Sequence, residues 1–520
     1  MTFILLTASA VLSALGLIFP QLCFLSWFSL TPFIYVMING CEKRLSLPRA
    51  YLYGFIWFLF YYVVIYHWFI YLYPMEFIGV TPVQGAGIVA LCWIGLSLLQ
   101  TVLSAFMTMI FRLCTKRKAL IPLLFSSVWV IFEYLQTLTW AGVPWARLAL
   151  SQVPFLPAIQ SASLFGSLFI SFIIVLVNAY LALAFKAFKE NGISHRSVRI
   201  YALVAVLIFG SNLIFGALRL ILHKDNKDNT ISVALIQGNV SSSDKWDLSG
   251  VDSLELYTEM TLEASKEADL DIVLWPETVI NFSLLENTRY CDKVCTLAKE
   301  ADAIIYVGTF VGTFSEDKEY LEHNALVAFY PDGSIEQDPY FKRHLVPFGE
   351  YLPMADFFET FIPPLAGLNL MGNDLTPGDD SRLSHTEHGT FGRLICFDSI
   401  YQELARDSTR DGAQLLLLST NDSWYMDSSA VIQHNSHACL RAVENGRWVL
   451  RAANTGISSV ISSEGKTITH LDALTKGYIV ENAYTHSERT LYSYIGDTIV
   501  LLCFGITLFE GASVIFKKRR

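Results

Sequence analysis

Residues 201–237 read YALVAVLIFGSNLIFGALRLILHKDNKDNTISVALIQ and contain the boundary between two kinds of chain. The part from Tyr201 to Leu222 is a predominantly apolar run, close to the ~20 helical residues that cross a bilayer. A polar interval follows, and Ile231 to Gln237 is a short apolar block of the length typical of a buried strand. The stretch therefore predicts a membrane part before it and a water-exposed folded part after it.

Apolar runs of membrane-spanning length fill the N-terminal part and return at the end of the chain. They are Thr2 to Pro20, Leu22 to Met37, Tyr51 to Tyr73, Ile88 to Leu113, Leu120 to Trp140, Ile159 to Phe185, Tyr201 to Leu222 and Leu491 to Phe516. We predict eight transmembrane helices, seven within residues 1–224 and the eighth within residues 488–520, before a basic tail. The second run is short and contains Pro32. The first run has an alternative as a cleaved secretory signal, because Ala8-Ser9-Ala10 resembles a cleavage site, although it lacks a charged start and further apolar runs follow at once.

Charge is divided unevenly between the two parts, and this predicts an orientation. The 520 residues have a formal net charge of −10, yet Thr230 to Thr485 holds 17 Lys and Arg against 38 Asp and Glu, a net of −21, which leaves +11 elsewhere. Basic residues collect in alternate loops of the membrane part and at the C-terminus, at Lys43, Arg44, Arg49, Lys116, Arg117, Lys118, Lys186, Lys189, Arg196, Arg199 and residues 517–520. Because Lys and Arg accumulate on the cytoplasmic side, both termini are expected in the cytoplasm and the acidic segment on the opposite side. So acidic a segment does not favour binding to nucleic acid.

The segment 229–485 alternates short strands with helices, which predicts an α/β layered domain. Strands are expected at 231–237, 271–275, 304–308, 392–396, 415–418 and 447–452, and helices at 251–268, 287–301, 399–407 and 434–445. Residues 324–330 and those after Asp332-Gly333 are expected to form a hairpin. About 255 residues are enough for one large core.

Three chemically capable side chains follow predicted strands in this segment. Glu277 comes after the strand ending at Trp275, Lys342 lies just past the hairpin, and Cys396 lies where a strand turns into a helix. In open α/β sheets, sites gather at the carboxyl ends of strands. A thiol reacts as its thiolate, which a helix N-terminus and a nearby ammonium stabilise. Cys396 is therefore a candidate nucleophile, Lys342 a candidate cation that stabilises an oxyanion, and Glu277 a candidate general base. Taken singly, each has a structural alternative: a buried thiol, a solvent-exposed lysine, and a cap or surface carboxylate.

The neighbourhoods of these residues resemble those of the nitrilase, or carbon–nitrogen hydrolase, superfamily. They read Leu274-Trp-Pro-Glu-Thr278, Tyr340-Phe-Lys-Arg-His344 and Ile395-Cys-Phe-Asp398, in the order Glu, Lys, Cys. Together with the membrane part, further blocks resemble one membrane-embedded family of that superfamily, the apolipoprotein N-acyltransferases. These blocks are 345–353, 419–425, 451–457, 142–145 and 151–152.

That resemblance implies a fold and a reaction. The fold is an exported αββα sandwich over residues 229–485, attached to an eight-helix transmembrane bundle in a bacterial inner membrane. The reaction moves the sn-1 acyl chain of a membrane phospholipid, through a thioester on Cys396, to the α-amine of a diacylglyceryl-cysteine apolipoprotein. It requires no metal or other cofactor, and we expect a monomer.

The resemblance also assigns supporting positions. Glu350 would orient Lys342 and tune its charge, and the backbone N–H of Phe397 would help to bind the oxyanion. Asp398 stands where the family commonly has the longer Glu, and Phe397 where it commonly has Tyr. Trp424 and Asn421 belong to a matched block and are candidate substrate contacts.

Two regions outside the expected site allow alternative interpretations. Glu133 is an ionisable residue within a predicted span and hence a candidate substrate contact, as is Arg147 in the following exported loop. Alternatively, Glu133 pairs with Arg147 or reaches the membrane interface. The apolar segment 357–374 predicts a membrane-facing lid, with a loop packed on the domain as the alternative.

The remaining cysteines and histidines favour structural roles. Cys291 and Cys295 lie four apart on a predicted helix, and we favour two packed thiols over a disulfide. The spacing of His434, His437 and Cys439 does not match a zinc site.

Two other functions fit parts of this pattern. A membrane-anchored amidase would use the same three residues with water as the acceptor. A transporter or receptor with an inactive domain of this fold is a second alternative, but the intact Glu277, Lys342 and Cys396 and the scarcity of charges within the spans disfavour it.

Overall fold

The computed structural model describes residues 1–75, 79–115, 118–223, 229–241, 250–361 and 374–518. The chain divides into two compact units. The helical unit comprises Met1–Tyr73, Val83–His223 and Tyr494–Arg520, and the α/β unit comprises Pro74–Pro82 and Lys224–Ser493.

The helical unit supplies the apolar helices of a membrane protein. Within the described residues, five helices are long and apolar enough to cross a membrane, namely Pro20–Glu42, Leu47–Leu72, Pro82–Cys114, Ser167–Asn191 and Arg196–Leu222. Shorter apolar helices are Thr2–Ile18, Ile121–Leu135 and Thr498–Ser513. Single helical turns are found at Leu156–Ile159 and Ala162–Phe165.

Two of the predicted apolar runs are interrupted in the structure. The second run is a 3-10 helix, Pro20–Trp27, followed by the helix Thr31–Glu42. Pro32 lies in the first turn of that helix, where proline is tolerated because the N–H that it lacks would have no helical partner. In the sixth run the long helix Ser167–Asn191 starts only after Gly166, whose φ of +79° ends the preceding turn.

The α/β unit contains thirteen strands in its described residues, and they form two sheets. They are β1 Thr230–Gln237, β2 Ile272–Leu274, β3 Ile280–Ser283, β4 Ile304–Phe314, β5 Tyr320–Phe329, β6 Tyr340–Phe341, β7 Ser384–Thr386, β8 Gly389–Ile395, β9 Leu415–Thr420, β10 Val449–Ala453, β11 Ser458–Ile461, β12 Thr467–Leu471 and β13 Gly477–Tyr484. The first sheet has the order β13-β1-β2-β4-β5-β6, with β3 beside β4, and the second has the order β12-β11-β10-β9-β8-β7. β1, β2 and β4 are parallel, as are β8, β9 and β10.

Alternating side chains place each sheet between two apolar layers, as the period of a strand requires. Val233 and Leu235 of β1 pack in a buried cluster with Leu417 of the second sheet. Ala234 and Ile236 of the same strand belong to the cluster formed with the outer helices. The helices Gly250–Ala264 and Thr288–Ala301 supply Leu254, Tyr257, Val294 and Leu297 to that second cluster.

The second sheet has its own helices, Gln402–Asp411 and Ser429–Asn445, which contact β8 and β10 respectively. The order of layers is therefore helix, sheet, sheet, helix. The carboxyl ends of β2 and β8, in different sheets, carry Glu277 and Cys396 on the loops that follow them.

The hairpin expected across the Asp332-Gly333 turn is present but short: Phe329 and Ile335 form an antiparallel bridge, and β5 then pairs with β6. The longer hairpin, β4 with β5, was not predicted, and one local prediction was wrong. The helix expected from Ser399 begins at Gln402, because residues Cys396–Ile400 form a separate 3-10 turn.

Candidate active site

The structure brings two of the three predicted catalytic side chains into direct contact. Glu277 follows β2, and Lys342 follows β6, the short strand at the edge of the same sheet. The Nζ of Lys342 donates to Oε1 of Glu277 at 2.8 Å, and both side chains are buried. A buried ammonium needs such a partner, because an isolated charge in this environment would be neutralised.

Glu350 is a second carboxylate on the same ammonium. Its Oε1 accepts from Nζ of Lys342 at 2.9 Å, and its Oε2 accepts from the backbone N–H of Val346 at 2.8 Å. Burial lowers the pKa of Lys342, but the carboxylates of Glu277 and Glu350 outweigh burial and raise the pKa well above its ordinary value. Lys342 therefore stays an ammonium, fixed between two oxygens.

Asn324 ties the two carboxylates together, and sequence reasoning missed it. Its Nδ2 donates to Oε1 of Glu277 at 2.8 Å and to Oε1 of Glu350 at 3.0 Å. Its backbone carbonyl also accepts from the N–H of Lys342 at 2.8 Å. Asn324 is a buried polar residue within β5, followed by the apolar stretch 325–329, and this break in the pattern was the available signal.

Cys396 is buried at the turn after β8 and has a strained backbone. Its φ is +49°, in the left-handed region that non-glycine residues seldom adopt. Burial and the carboxylate of Glu277 raise the pKa of the Cys396 thiol above its ordinary value, against the opposing effects of Lys342 and a hydrogen bond with Thr420. The resting group is therefore a thiol rather than the stabilised thiolate expected from sequence, and it needs a proton acceptor before it can attack.

Asp398 connects the cysteine turn to the segment that contains Lys342. Its Oδ2 accepts from the hydroxyl of Tyr340 at 2.9 Å and from the backbone N–H of Ile395 at 3.0 Å. Its Oδ1 accepts from the backbone N–H groups of His344 at 2.8 Å and Arg343 at 3.2 Å. The short aspartate is thus long enough to hold the Lys342 and Cys396 segments together.

Asn421 contacts Glu277 through its backbone. The N–H of Asn421 donates to Oε2 of Glu277 at 2.9 Å, while its side-chain oxygen accepts from the N–H of Ser423 at 3.2 Å. Trp424 is half-buried on the same loop, and Phe397 is buried beside Tyr401 with ring centroids 5.5 Å apart. Their assignment to substrate or oxyanion binding remains a prediction.

Glu133 and Arg147 belong to the helical unit and are both buried there. The Oε1 of Glu133 accepts from Nε1 of Trp129 at 2.9 Å and from the backbone N–H of Leu148 at 3.1 Å. Glu133 is therefore anchored at the residue that follows Arg147, and a role in binding substrate remains a prediction for both.

Cys291 and Cys295 are free thiols, and the Sγ of Cys291 donates to the backbone carbonyl of Leu284 at 3.2 Å. In the described part of the chain, no group of three His, Cys, Asp or Glu side chains is placed to hold a metal ion. The proposed lid 357–374 falls largely outside the described residues, which include only the helix Ala355–Phe361 and Asp374 of this region.

Two family models match the chain in succession. The model described as "Apolipoprotein N-acyltransferase N-terminal domain" matches residues 9–180, and the model described as "Carbon-nitrogen hydrolase" matches residues 232–483. The two matches correspond to the helical unit and to the α/β unit.

Curated relatives are similar along most of the chain. An apolipoprotein N-acyltransferase of Geobacter metallireducens is 30% identical over 512 residues, which cover 96% of this chain and 93% of the relative. The protein of the same name in Haemophilus ducreyi is 28% identical and covers 84% of this chain and 85% of the relative. Among solved structures, a Saccharomyces cerevisiae member of branch 10 of the nitrilase superfamily matches 51% of this chain and 93% of that chain, at 22% identity and a TM-score of 0.36. On the extent of these sequence matches, the chain belongs to the apolipoprotein N-acyltransferases, a family of acyltransferases.

Proposed function

We propose that this acyltransferase forms a thioester between Cys396 and the sn-1 acyl chain of a membrane phospholipid, and passes that chain to the α-amine of a diacylglyceryl-cysteine apolipoprotein. The observation that carries the proposal is the fixed ammonium of Lys342 between Glu277 and Glu350, in a buried site where Cys396 interacts electrostatically with Lys342 and Glu277. Such a site supplies both a proton acceptor and a cation that neutralises a developing oxyanion.

In the first half of the reaction, Glu277 accepts the proton of the Cys396 thiol as the sulfur attacks the ester carbonyl. The carbonyl oxygen gains negative charge and is stabilised by Lys342. The intermediate collapses with cleavage of the ester C–O bond, and the proton on Glu277 passes to the leaving lysophospholipid oxygen. The raised pKa of Cys396 supports a route in which deprotonation and attack are coupled.

In the second half, the acceptor amine attacks the thioester carbonyl and an amide bond forms. Glu277 accepts a proton from the amine, the C–S bond breaks, and that proton returns to the sulfur of Cys396. Glu277 and Lys342 thus have the same roles in both halves, and the site ends in its starting state.

Glu350 is proposed to hold Lys342 between the two carboxylates rather than to transfer a proton. Its two oxygens are occupied by Lys342, Asn324 and the N–H of Val346. Fixing the ammonium in advance avoids reorganisation while charge develops on the substrate.

The proposed setting is a bacterial inner membrane, with the α/β unit on the periplasmic side and both termini in the cytoplasm. The alternating basic loops and the apolar helices support this orientation. The proposed donor and acceptor are both lipids anchored in one leaflet, so their encounter is a lateral search along the membrane. We propose a monomer that needs neither metal nor other cofactor.

The fate of the acyl-enzyme distinguishes an acyltransferase from an amidase. Purified protein would be acylated with phospholipid, freed of the donor, and then given either buffer or a diacylglyceryl-cysteine peptide with a free α-amine. We expect the peptide to discharge Cys396 at least about 10²-fold faster than water, as a positioned nucleophile should. Equal rates with buffer and peptide would contradict the proposal. The α-N-acetylated peptide is the matched control, because it has the same lipid but no nucleophilic amine.

A further inference from the structure

A buried ion pair lies close to the cysteine turn and is separate from the Glu277–Lys342–Glu350 group. Nη2 of Arg451, in β10, is 2.5 Å from Oδ2 of Asp422, on the loop after β9, and both side chains are fully buried. Gly456 packs so tightly on this carboxylate that a Cβ there would lie 2.1 Å from Oδ2. Further hydrogen bonds help to offset the desolvation of so deep a pair, and on Asp422 they come from His434 and Thr420.

His434 connects this ion pair to the nucleophile. Its Nδ1 is 2.7 Å from Oδ1 of Asp422, and its Nε2 is 3.1 Å from both the backbone carbonyl oxygen of Cys396 and the hydroxyl of Ser399. The imidazole is buried on the helix Ser429–Asn445. The imidazole of His434 therefore connects the carboxylate of Asp422 to the backbone of the Cys396 turn.

The hydrogen-bond partners determine where the protons lie. Burial raises the pKa of Asp422, but Arg451 and His434 outweigh it and lower the pKa below its ordinary value, so Asp422 is a carboxylate and Nδ1 donates to it. The carbonyl oxygen of Cys396 can only accept, so Nε2 donates as well. His434 therefore has an acceptor for each ring nitrogen, and one of these acceptors lies on the Cys396 turn.

The same turn is the strained part of the site. Cys396 has its φ at +49°, and its carbonyl oxygen also accepts from the hydroxyl of Ser399 at 2.8 Å. Thr420, which hydrogen-bonds the Cys396 side chain, has its hydroxyl 3.4 Å from Oδ1 of Asp422. A strained conformation persists only when its surroundings hold it, and here the contacts that hold it converge on Asp422.

We propose that His434 is a positioning residue for the nucleophile: oriented by the Arg451–Asp422 pair, it donates from Nε2 to the carbonyl of Cys396 and so holds the sulfur in its attacking geometry. The inference rests on the proposed function of Cys396 and adds a role outside the three catalytic residues. A histidine that merely filled the core would need only its contact with Asp422.

Two amide variants separate these roles. In His434→Gln the amide nitrogen replaces Nε2 and can reach the Cys396 carbonyl, whereas in His434→Asn it replaces Nδ1 and can reach only Asp422. We expect phospholipid-dependent acylation of Cys396 to stay within about tenfold of wild type in the Gln variant and to fall about 10²-fold in the Asn variant, with little change in KM. A core-filling role predicts that Asn does at least as well as Gln, and that result would overturn the proposal.

Alkylation of Cys396 by iodoacetamide, followed on the Cys396 peptide, gives a readout that needs no substrate. Because the Asn variant loses the contact with the Cys396 carbonyl, alkylation of Cys396 at a given pH should fall in that variant and stay close to wild type in the Gln variant. His437→Gln removes an equally buried imidazole from the same helix and should leave acylation and the alkylation profile unchanged. Losses of equal size in His437→Gln would assign the effect to the helix and overturn the proposal.

Ser399→Ala tests the same contact with the Cys396 carbonyl if the His434 variants do not fold. It removes the other donor to the Cys396 carbonyl, and we expect acylation to fall several-fold with unchanged KM; a wild-type rate would count against the carbonyl contact. If wild-type protein alkylates at Cys396 but never becomes acylated there, the proposed function fails. If it acylates normally and the Gln and Asn variants do not differ, only this inference fails.

Discussion

At the residue scale, the charged side chains of the site are held by hydrogen bonds to one another and to Asn324. Lys342 is held by two carboxylates, and Asn324 holds both carboxylates in turn. Removing one member of a buried ion pair typically costs about 3–5 kcal/mol, because the other charge is left uncompensated. Loss of activity in a Lys342 variant must therefore be separated from loss of folding.

The pKa of Cys396 leads to a prediction about its reactivity. Because burial and Glu277 raise that pKa above its ordinary value of 9.0, less thiolate is present at neutral pH than in a free thiol. We expect alkylation of Cys396 to rise about tenfold per pH unit from about pH 7 to pH 9, without a plateau. Mass spectrometry of the Cys396 peptide measures the rate.

Glu277→Gln is the matched variant for this prediction. It keeps the shape of the side chain but removes the carboxylate that raises the pKa of Cys396. Alkylation at a given pH should become faster while acylation by phospholipid is lost. A wild-type rate that levels off below pH 8 would instead indicate a thiolate that is stable at rest.

Sequence alone identified Glu277, Lys342 and Cys396 as candidates because each follows a predicted strand or hairpin and because their neighbourhoods resemble those of the nitrilase superfamily. It could not identify Asn324, Thr420 or His434 as their supports. The local sequence pattern shows that a polar residue interrupts an apolar stretch, but it does not show which distant side chain that residue contacts. His434 is 38 residues from Cys396 and Asn324 is 47 from Glu277.

At the element scale, β4 passes unusually close to the loop that carries Glu277. A Cβ on Gly308 would lie 2.2 Å from the carbonyl oxygen of Pro276 and 2.8 Å from Cα of Glu277. These are backbone atoms that cannot move aside without displacing the loop. The position of Glu277 thus depends on a residue of the neighbouring strand.

Gly308→Ala is expected to impair catalysis through this contact. Displacement of the Glu277 loop should lower the rate of Cys396 acylation by about 10²-fold and destabilise the fold by about 1–3 kcal/mol, as overpacking does. The rate of acyl-enzyme formation measures the effect on catalysis, and thermal unfolding measures the effect on stability.

Gly477→Ala in β13 is the control, because a Cβ there would meet Leu471 at the ordinary distances of 3.5 and 3.6 Å. It should be close to wild type in both measurements. Full activity in Gly308→Ala would show that the Glu277 loop does not depend on this close approach.

The positions of helices and strands could be predicted from apolar periodicity where the apolar segments were long or were flanked by clear polar breaks. The prediction missed β3, β7 and β11 to β13, which are short or carry many polar residues. It also failed to recognise that Cys396–Ile400 forms its own 3-10 turn. Hydrogen bonds from distant residues, such as that from the hydroxyl of Tyr340 to Asp398, stabilise this turn and leave no local signature.

At the scale of the whole molecule, the two units differ in surface character as well as in fold. The helical unit exposes large apolar side chains along its helices, for example Leu207, Ile214 and Leu218 in the helix Arg196–Leu222. The net charges of −21 from Thr230 to Thr485 and +11 for the remaining residues are opposite in sign. Contact with lipid accounts for the exposed apolar side chains, and the proposed orientation would place the basic loops of the helical unit in the cytoplasm.

Reporter fusions test the proposed orientation. Green fluorescent protein joined after Arg520 should fluoresce, and alkaline phosphatase at the same site should be inactive, because the C-terminus is expected in the cytoplasm. Alkaline phosphatase joined after Thr485 should be active. The reverse pattern would place the catalytic unit in the cytoplasm, away from the proposed substrates.

The central claim is that Cys396 carries a fatty acyl chain in transit. Mass spectrometry of the protein incubated with phospholipid measures this most directly, with Cys396→Ala as the control. We predict one added acyl mass on the Cys396 peptide, removed by hydroxylamine and absent from the Cys396→Ala variant. An unmodified Cys396 in a sample that acylates an apolipoprotein peptide, or full transfer by Cys396→Ala, would contradict the account.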